Sequence, residues 1–348
     1  MKSKKILLIN QGNTKNIGDN AIFLVIQKYF LIKGIDFQHF WDEELVYKLL
    51  WKIKSLRKLI IFSMKVPFII DLFNKMRIKK AISGNEYEAV IIGGGELICA
   101  HHGFNSSMKC WTDYFVKKKV NIYLIGVSGD LNMRSYSQKR YENALKKCTS
   151  IFVRDSYTLN ICKNHYWLNA KIFPDVVFSL NKVLNFTNEY KKEDIILFIP
   201  IAFNDEVICG LNVTNESDYF AYLEKLLMDN YISNYKIMLL STTKNNYKTI
   251  DDFNDYMKSI YDSLSINKIR ISSLEEFVDL AVKSKIVISG RMHAMIISIL
   301  FNNKIISIPF KNKLEIFQDE YRGKTVINIK KVEKLSYKSL ENLYNMIE

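Results

Sequence analysis

Residues that interrupt a folded chain are scarce in this sequence. Among 348 residues there are four prolines and thirteen glycines, which excludes a linker-rich or fibrous protein. Cysteine is sparse too. The five thiols (Cys99, Cys110, Cys148, Cys162, Cys209) are dispersed, with no Cys-x-x-Cys pair and no histidine at metal-ligand spacing. Neither a disulfide framework nor a metal site is expected, and scattered thiols fit a reducing, cytoplasmic setting. Long hydrophobic runs are missing as well. The N-terminal run Ile6–Ile9 is too short for a signal-peptide core. The stretch Leu59–Phe73 is broken by Lys65, Pro67 and Asp71, so a transmembrane span is excluded. Acid is in deficit, with 36 acidic against 50 basic residues and a formal charge of +14.

What is present is enough for packed cores: 48% hydrophobic and 13% aromatic residues. The length suits two domains of about 150 residues each. A basic balance points to an anionic partner, whether phosphorylated substrate, membrane surface or nucleic acid, or else to a solvated lysine-rich surface. The charge is uneven. Leu45–Lys80 holds ten basic residues against the single acid Asp71.

Short apolar runs alternate with segments of helical period. Strands are predicted at Lys5–Asn10, Ala89–Ile92, Asn121–Val127, Ser150–Val153, Ile195–Pro200, Lys236–Leu240, Lys268–Ile271, Lys285–Ser289 and Lys304–Pro309. Helices are predicted at Asn20–Lys33, Gln138–Lys147, Ser156–Asn164, Asp218–Met228, Leu274–Lys283 and Met292–Phe301. Continuously apolar, β-branched runs such as Val90-Ile91-Ile92 suit strands covered on both faces. The alternation implies an α/β fold with parallel sheets. The polar stretch Asn185–Asp194 reads as a linker between an N-terminal domain (residues 1–184) and a C-terminal domain (185–348), whose last helix can pack back on the first. The expected architecture is two doubly wound, Rossmann-like domains facing a cleft, with ligands beyond the carboxyl ends of the strands.

Four segments could carry chemistry. After the first strand come Gly12-Asn13 and Gly18-Asp19-Asn20-Ala21-Ile22, where glycine permits a tight turn and Asp19 could cap the next helix. An ordinary strand-to-helix turn is an equal reading. Gly93-Gly94-Gly95-Glu96 follows a buried strand and leaves the backbone open to a ligand. Glu96 could act as a base, while His101 and His102 read equally as surface loop residues. Arg154-Asp155 reads first as an ion-paired boundary with Asp155 or Ser156 capping a helix, and Pro174-Asp175 as an exposed acid on a turn.

The strongest segment is Ser289-Gly290-Arg291-Met292-His293-Ala294. Strand, turn and helix follow directly, and the free N–H groups of a helix start favour an anion. Arg291 adds a permanently charged, bidentate grip, and His293 brings an imidazole suited to proton traffic. Lys311 could bring a further cation.

Taken in order, these four segments resemble the polysaccharide pyruvyltransferase family, with Met292 where leucine is commoner. The resemblance implies a glycosyltransferase-B-like fold and transfer of a pyruvyl group from phosphoenolpyruvate to a pair of sugar hydroxyls, closing a ketal. The acceptor would be a capsule, exopolysaccharide or cell-wall glycan, carried on a polyprenyl-diphosphate-linked precursor. Ser289, Gly290, Arg291, His293 and Lys311 are then the donor-binding residues. Gly12, Asn13, Asp19, Asn20, Gly94, Gly95, Glu96 and His101 fall on the acceptor side. Catalysis is expected from His293, Arg291, Asp19 and Glu96, with phosphoenolpyruvate as co-substrate and no cofactor or metal.

The basic stretch 45–80 repeats apolar residues at helical spacing (Leu45, Leu49, Ile53, Leu56, Ile60, Met64), and it could dock on an anionic membrane face or simply pack on the first domain. Two competing functions are a nucleotide-sugar glycosyltransferase and a non-catalytic, basic nucleic-acid-binding protein. The latter lacks any recognisable motif, so no nucleic-acid partner is expected.

Overall fold

The computed structural model describes residues 5–12, 16–41, 66–82, 84–186, 191–232, 234–243, 246–321, 323 and 326–348. Asn13 and most of the basic stretch 45–80 lie outside them. The chain divides into two compact units. Met1–Asn13, Ile22–Ser179 and Glu333–Glu348 form the first, and Thr14–Ala21 with Leu180–Val332 form the second. The stretch 14–21 and residues 180–184 thus group with the second unit, and residues 333–348 with the first.

The first unit holds a six-stranded sheet built from β1 (Lys5–Asn10), β2 (Asp36–Trp41), β3 (Ala89–Ile98), β4 (Asn121–Gly129), β5 (Ser150–Val153) and β6 (Ala170–Ile172). Its order is β2-β1-β3-β4-β5-β6, and every pairing is parallel. Leu7, Leu8, Val90, Ile91 and Leu124 are fully buried, as expected of strands covered on both faces. Two strands escape sequence reading for the same reason: β2 (Asp-Phe-Gln-His-Phe-Trp) and β6 (Ala-Lys-Ile) are edge strands without apolar runs.

The strand predicted at Ala89–Ile92 runs on through the three glycines to Ile98. Gly93, Gly95 and Glu96 pair with Ile125, Val127 and Ser128 of β4, and the register shifts between Glu96 and Ile98. Gly94 and Gly95 have φ of +70° and +90°, and Gly126 in β4 has φ +66°. Glycine alone adopts these angles readily within a strand.

Helices α1 (Ile17–Ile32), α2 (Pro67–Ala81), α3 (His102–Lys117), α4 (Ser135–Leu145) and α5 (Ser156–Asn160, continued by a π-helical turn Ile161–His165) connect these strands. The cap of α1 is Asn16 and not Asp19. The Gly18 N–H donates to Asn16 Oδ1 at 3.1 Å, and Asn16 Nδ2 donates to Asp19 Oδ2 at 2.8 Å. Asp19 therefore sits in the first turn, where a negative charge is favoured.

A polar network holds α2, α3 and α4 together. Arg140 grips Asp71 through both terminal nitrogens, at 2.5 and 3.0 Å, and its Nε donates to Asn105 Oδ1 at 2.6 Å. Ser106 Oγ donates to Asp71 at 2.6 Å, and Asn74 Nδ2 donates to Ser106 at 2.8 Å.

The second unit holds β7 (Ile195–Ile199), β8 (Lys236–Ser241), β9 (Ile266–Arg270), β10 (Ile286–Ser289) and β11 (Lys304–Ser307), all parallel, in the order β11-β10-β7-β8-β9. Around them run α6 (Leu180–Leu184), α7 (Asp205–Leu211), α8 (Glu216–Met228), α9 (Tyr247–Ile260), α10 (Leu274–Lys283), α11 (Met292–Leu300) and α12 (Asn312–Tyr321). The chain ends in α13 (Val326–Ile347), most of which returns to the first unit. Among the described residues no helix is long and apolar enough to cross a membrane.

Candidate active site

Each sheet has one place where successive connections leave in opposite directions, the point at which folds of this kind hold their ligands beyond the strand ends. In the second unit this point lies between β7 and β10. The segment Ser289–Ala294 begins at the carboxyl end of β10 and so stands at that switch point.

The turn is built by its own side chains. Ser289 is fully buried, and its hydroxyl accepts from the Arg291 N–H at 2.9 Å and donates to the Arg291 carbonyl at 3.2 Å. Ser289 thus shapes the loop. Gly290 is required by close approach, since a Cβ would lie 2.8 Å from Cγ2 of Ile201. Arg291 then occupies the cap position of α11, with extended backbone.

The Arg291 guanidinium meets neutral oxygens. Its Nη2 donates to Thr243 Oγ1 at 3.3 Å and to Asn246 Oδ1 at 3.2 Å, and its Nε is buried with no partner. Burial holds its pKa below the ordinary guanidinium range, opposed by the carboxylates of Asp19 and Glu206. The hydrogen-bond partners of this cation are neutral oxygens at a helix start, a setting that favours an anion, and the carboxylates of Asp19 and Glu206 compensate its charge in part.

Asn246 is the anchor of this arrangement. It is fully buried, its Nδ2 donates to the Pro200 carbonyl at 3.0 Å, and its Oδ1 accepts from the Ala202 N–H at 3.2 Å. Neither Thr243 nor Asn246 was singled out from sequence. Their signal was position alone, just past the carboxyl end of β8.

His293 lies in the first turn of α11, and α1 begins against it. A Cβ on Gly18 would fall 2.2 Å from His293 Nδ1. Asp19 and Asn20 group with the second unit, and the lack of a side chain on Gly18 lets the start of α1 pack onto His293. Lys311 is paired with Glu206, Nζ to Oε1 at 2.9 Å, so its charge is shared with a carboxylate.

The first unit gathers its own group at the switch point between β1 and β3. Asn10 Oδ1 accepts from the Gly12 N–H at 3.0 Å and from His39 Nε2 at 2.8 Å. His39, unnoticed in the sequence, packs on Phe23 with ring centroids 4.2 Å apart, and burial lowers its pKa despite the Asn10 hydrogen bond. Gly12 is buried, and a Cβ there would overlap Phe23. Gly94 is likewise confined by Ile22 of α1, whose Cγ2 would lie 2.3 Å from an added Cβ. Glu96 stands opposite Ser128 in the sheet. His101 caps α3, its Nδ1 accepting from the Phe104 N–H at 3.3 Å.

Asp155 caps α5, accepting from the Thr158 N–H at 2.7 Å. The ion partner of Arg154 is Asp175, at 2.7 Å, with Arg154 also donating to Ser128 Oγ at 2.7 Å. Asp175 is therefore not an exposed turn acid. It is 4% exposed and forms a buried pair at the strand ends. Among the described residues no group of three His, Cys, Asp or Glu side chains is placed to hold a metal ion.

Two parallel sheets, each with its polar and glycine-rich residues at a switch point, define a two-unit α/β protein of the glycosyltransferase-B-like class. Within that class, the chain belongs to the polysaccharide pyruvyl transferase family, which it matches over residues 16–312. That is a transferase family.

Solved structures of the same fold include UDP-GlcNAc 2-epimerase from Neisseria meningitidis bound to UDP-GlcNAc. Its TM-score is 0.54 at 11% identity, covering 98% of this chain and 100% of that one. MnaA of S. aureus with UDP gives 0.53 at 14% identity, covering 99% and 90%. UDP-GlcNAc 2-epimerase from Methanocaldococcus jannaschii gives 0.53 at 12% identity, covering 99% of each. At these identities the likeness is of fold alone. No curated protein matches the chain by sequence.

Proposed function

We propose that the protein transfers a pyruvyl group from phosphoenolpyruvate to two hydroxyls of a glycan precursor, forming a cyclic ketal. The observation that carries this reading is the Arg291 guanidinium. It sits at the start of α11, held by the neutral oxygens of Thr243 and Asn246, in a chain of this family. Such a cation suits the carboxylate or phosphate of the donor.

In the reaction, an acid delivers a proton to C3 of phosphoenolpyruvate, leaving an electron-poor centre at C2. A sugar hydroxyl oxygen attacks C2 and gives its proton to a base. The C2–O bond to phosphate then breaks, inorganic phosphate leaves, and the second hydroxyl closes the ring with loss of its proton. Arg291 and the N–H groups of α11 hold the donor anion, and His293, two residues on in the first turn, is the proton donor. Asp19, whose charge reaches Arg291, orients that pair, and Glu96 in the first unit is the candidate base on the acceptor side. The reaction as written uses no cofactor. The acceptor on this reading is carried by a polyprenyl diphosphate of capsule or exopolysaccharide assembly, at the cytoplasmic membrane face.

The competing reading is a nucleotide-sugar glycosyltransferase, since several proteins of this fold hold UDP or UDP-GlcNAc. A thermal-shift comparison separates the two. Stabilisation by phosphoenolpyruvate, lost in Arg291→Ala, supports the pyruvyl reading. Stabilisation by UDP-sugars and not by phosphoenolpyruvate would replace it.

A further inference from the structure

Helix α2 is inverted in polarity. Its buried face carries Asp71, Asn74 and Arg77 beside Ile70 and Ile78, and these polar groups are taken up by the network with α3 and α4. Its outward face carries Phe68, Leu72 and Met76, which are 77%, 50% and 62% exposed. Spaced four residues apart, these three side chains form one ridge along the helix. Between and beside them stand Lys75, Lys79 and Lys80, all exposed. The helix contains one acid, Asp71, and that acid is turned inward.

An outward face made of large apolar groups and lysines, with no carboxylate, is unsuited to water and suited to one kind of surface. The apolar ridge would enter the boundary between lipid headgroups and acyl chains, while the lysine stems lie along it and their ammonium groups meet anionic headgroups. A protein partner would need its own acidic rim to match, whereas a bilayer rich in anionic lipid supplies both components at once.

We infer that the outer face of α2 docks the enzyme on an anionic membrane surface through Phe68, Leu72 and Met76, with Lys75, Lys79 and Lys80 as the electrostatic contact. This inference does not depend on the identity of the donor, and it stands or falls apart from the pyruvyl reading.

The test is vesicle flotation of the full chain, with pure phosphatidylcholine vesicles against vesicles containing about one-third phosphatidylglycerol. The expected result is co-flotation with the anionic vesicles only, weakened by salt. Phe68→Ser/Leu72→Ser/Met76→Ser should lower the bound fraction about tenfold, and Lys75→Glu/Lys79→Glu should lower it similarly. Because these side chains are exposed, the variants should keep the wild-type melting temperature, and the charge-reversed pair tests the same face without touching the ridge. Failure of the wild type to float with anionic vesicles would overturn the inference, as would unchanged flotation of both variants. A concentration-dependent dimer that binds no vesicles and dissociates in the triple variant would assign the face to a second copy of the chain instead.

Discussion

Gly18 and His293 meet where two helices begin, so that a Cβ on Gly18 would lie 2.2 Å from Nδ1 of His293 and 2.9 Å from its Cβ. The nearest atoms include the root of the histidine side chain, which a rotamer change cannot move. Gly18→Ala must therefore displace the start of α1 or of α11. We predict a stability loss of about 1–3 kcal/mol from overpacking. Turnover should fall by roughly a hundredfold through misplacement of His293. Chemical denaturation with single-turnover kinetics measures both, and a wild-type rate would show that His293 takes no part in the reaction.

Asn246 offers a sharper probe of the anion site, because its Oδ1 lies 3.2 Å from Arg291 Nη2. Asn246→Asp keeps the size and places a carboxylate against the guanidinium, cancelling the charge that should receive the donor. Asn246→Ala removes the anchor but keeps that charge. Donor affinity should fall in both variants, and further in Asp than in Ala, by about tenfold or more between them. Titration calorimetry with phosphoenolpyruvate checks the order; Ala weaker than Asp would count against an anion at Arg291.

The Asp71–Arg140 pair should make the first unit sensitive to acid. Burial opposes ionisation of Asp71, yet hydrogen bonds from Arg140 and Ser106 outweigh it and hold the carboxyl below its ordinary range. The folded pKa is thus lower than the unfolded one. The stabilisation is complete above the unfolded value of about 4 and is lost as pH falls through the lower folded value. Asp71→Asn should lower stability at neutral pH by about 3–5 kcal/mol, because Arg140 is left buried without its counter-charge. Urea midpoints of wild type and variant should converge as the pH is lowered; a constant gap would refute the assignment.

Gly94 is confined twice over, by its φ of +70° and by Ile22 of α1. Gly94→Ala should cost about 2–4 kcal/mol, combining left-handed strain with overpacking. Ile22→Ala in the same background relieves the steric contact alone, so a partial rescue in thermal unfolding is expected.

Much of this fold could be read from the chain before its structure was known. The β-branched runs at Ile195–Ile199 and Ile286–Ser289 announce strands covered on both faces, and helix α10 falls at its predicted bounds. Edge strands β2 and β6 carry polar residues and give no such signal. At the candidate site, the helix start that carries Arg291 and His293 was legible because a strand, a turn and a helix start are local features. Asn246 was not, because it is defined by a contact 45 residues away in sequence. Asp175 misled for a similar reason, since its partner Arg154 sits 21 residues earlier and nothing local records the pairing.

The return of the chain to its first unit has a consequence for the order of assembly. Tyr337 and Tyr344 pack edge-on or tilted against Tyr29 and Phe30, Ser336 Oγ donates to the Asp175 carbonyl at 2.8 Å, and the Tyr123 hydroxyl donates to the Met346 carbonyl at 2.9 Å. These contacts close over the intervening residues 180–332. During synthesis the second unit emerges whole while the first still lacks its last helical turns, so the part made earliest is finished latest. Until residues 333–348 leave the ribosome, the aromatic face of α1 awaits its cover, which makes this late segment a checkpoint for the maturation of the first unit.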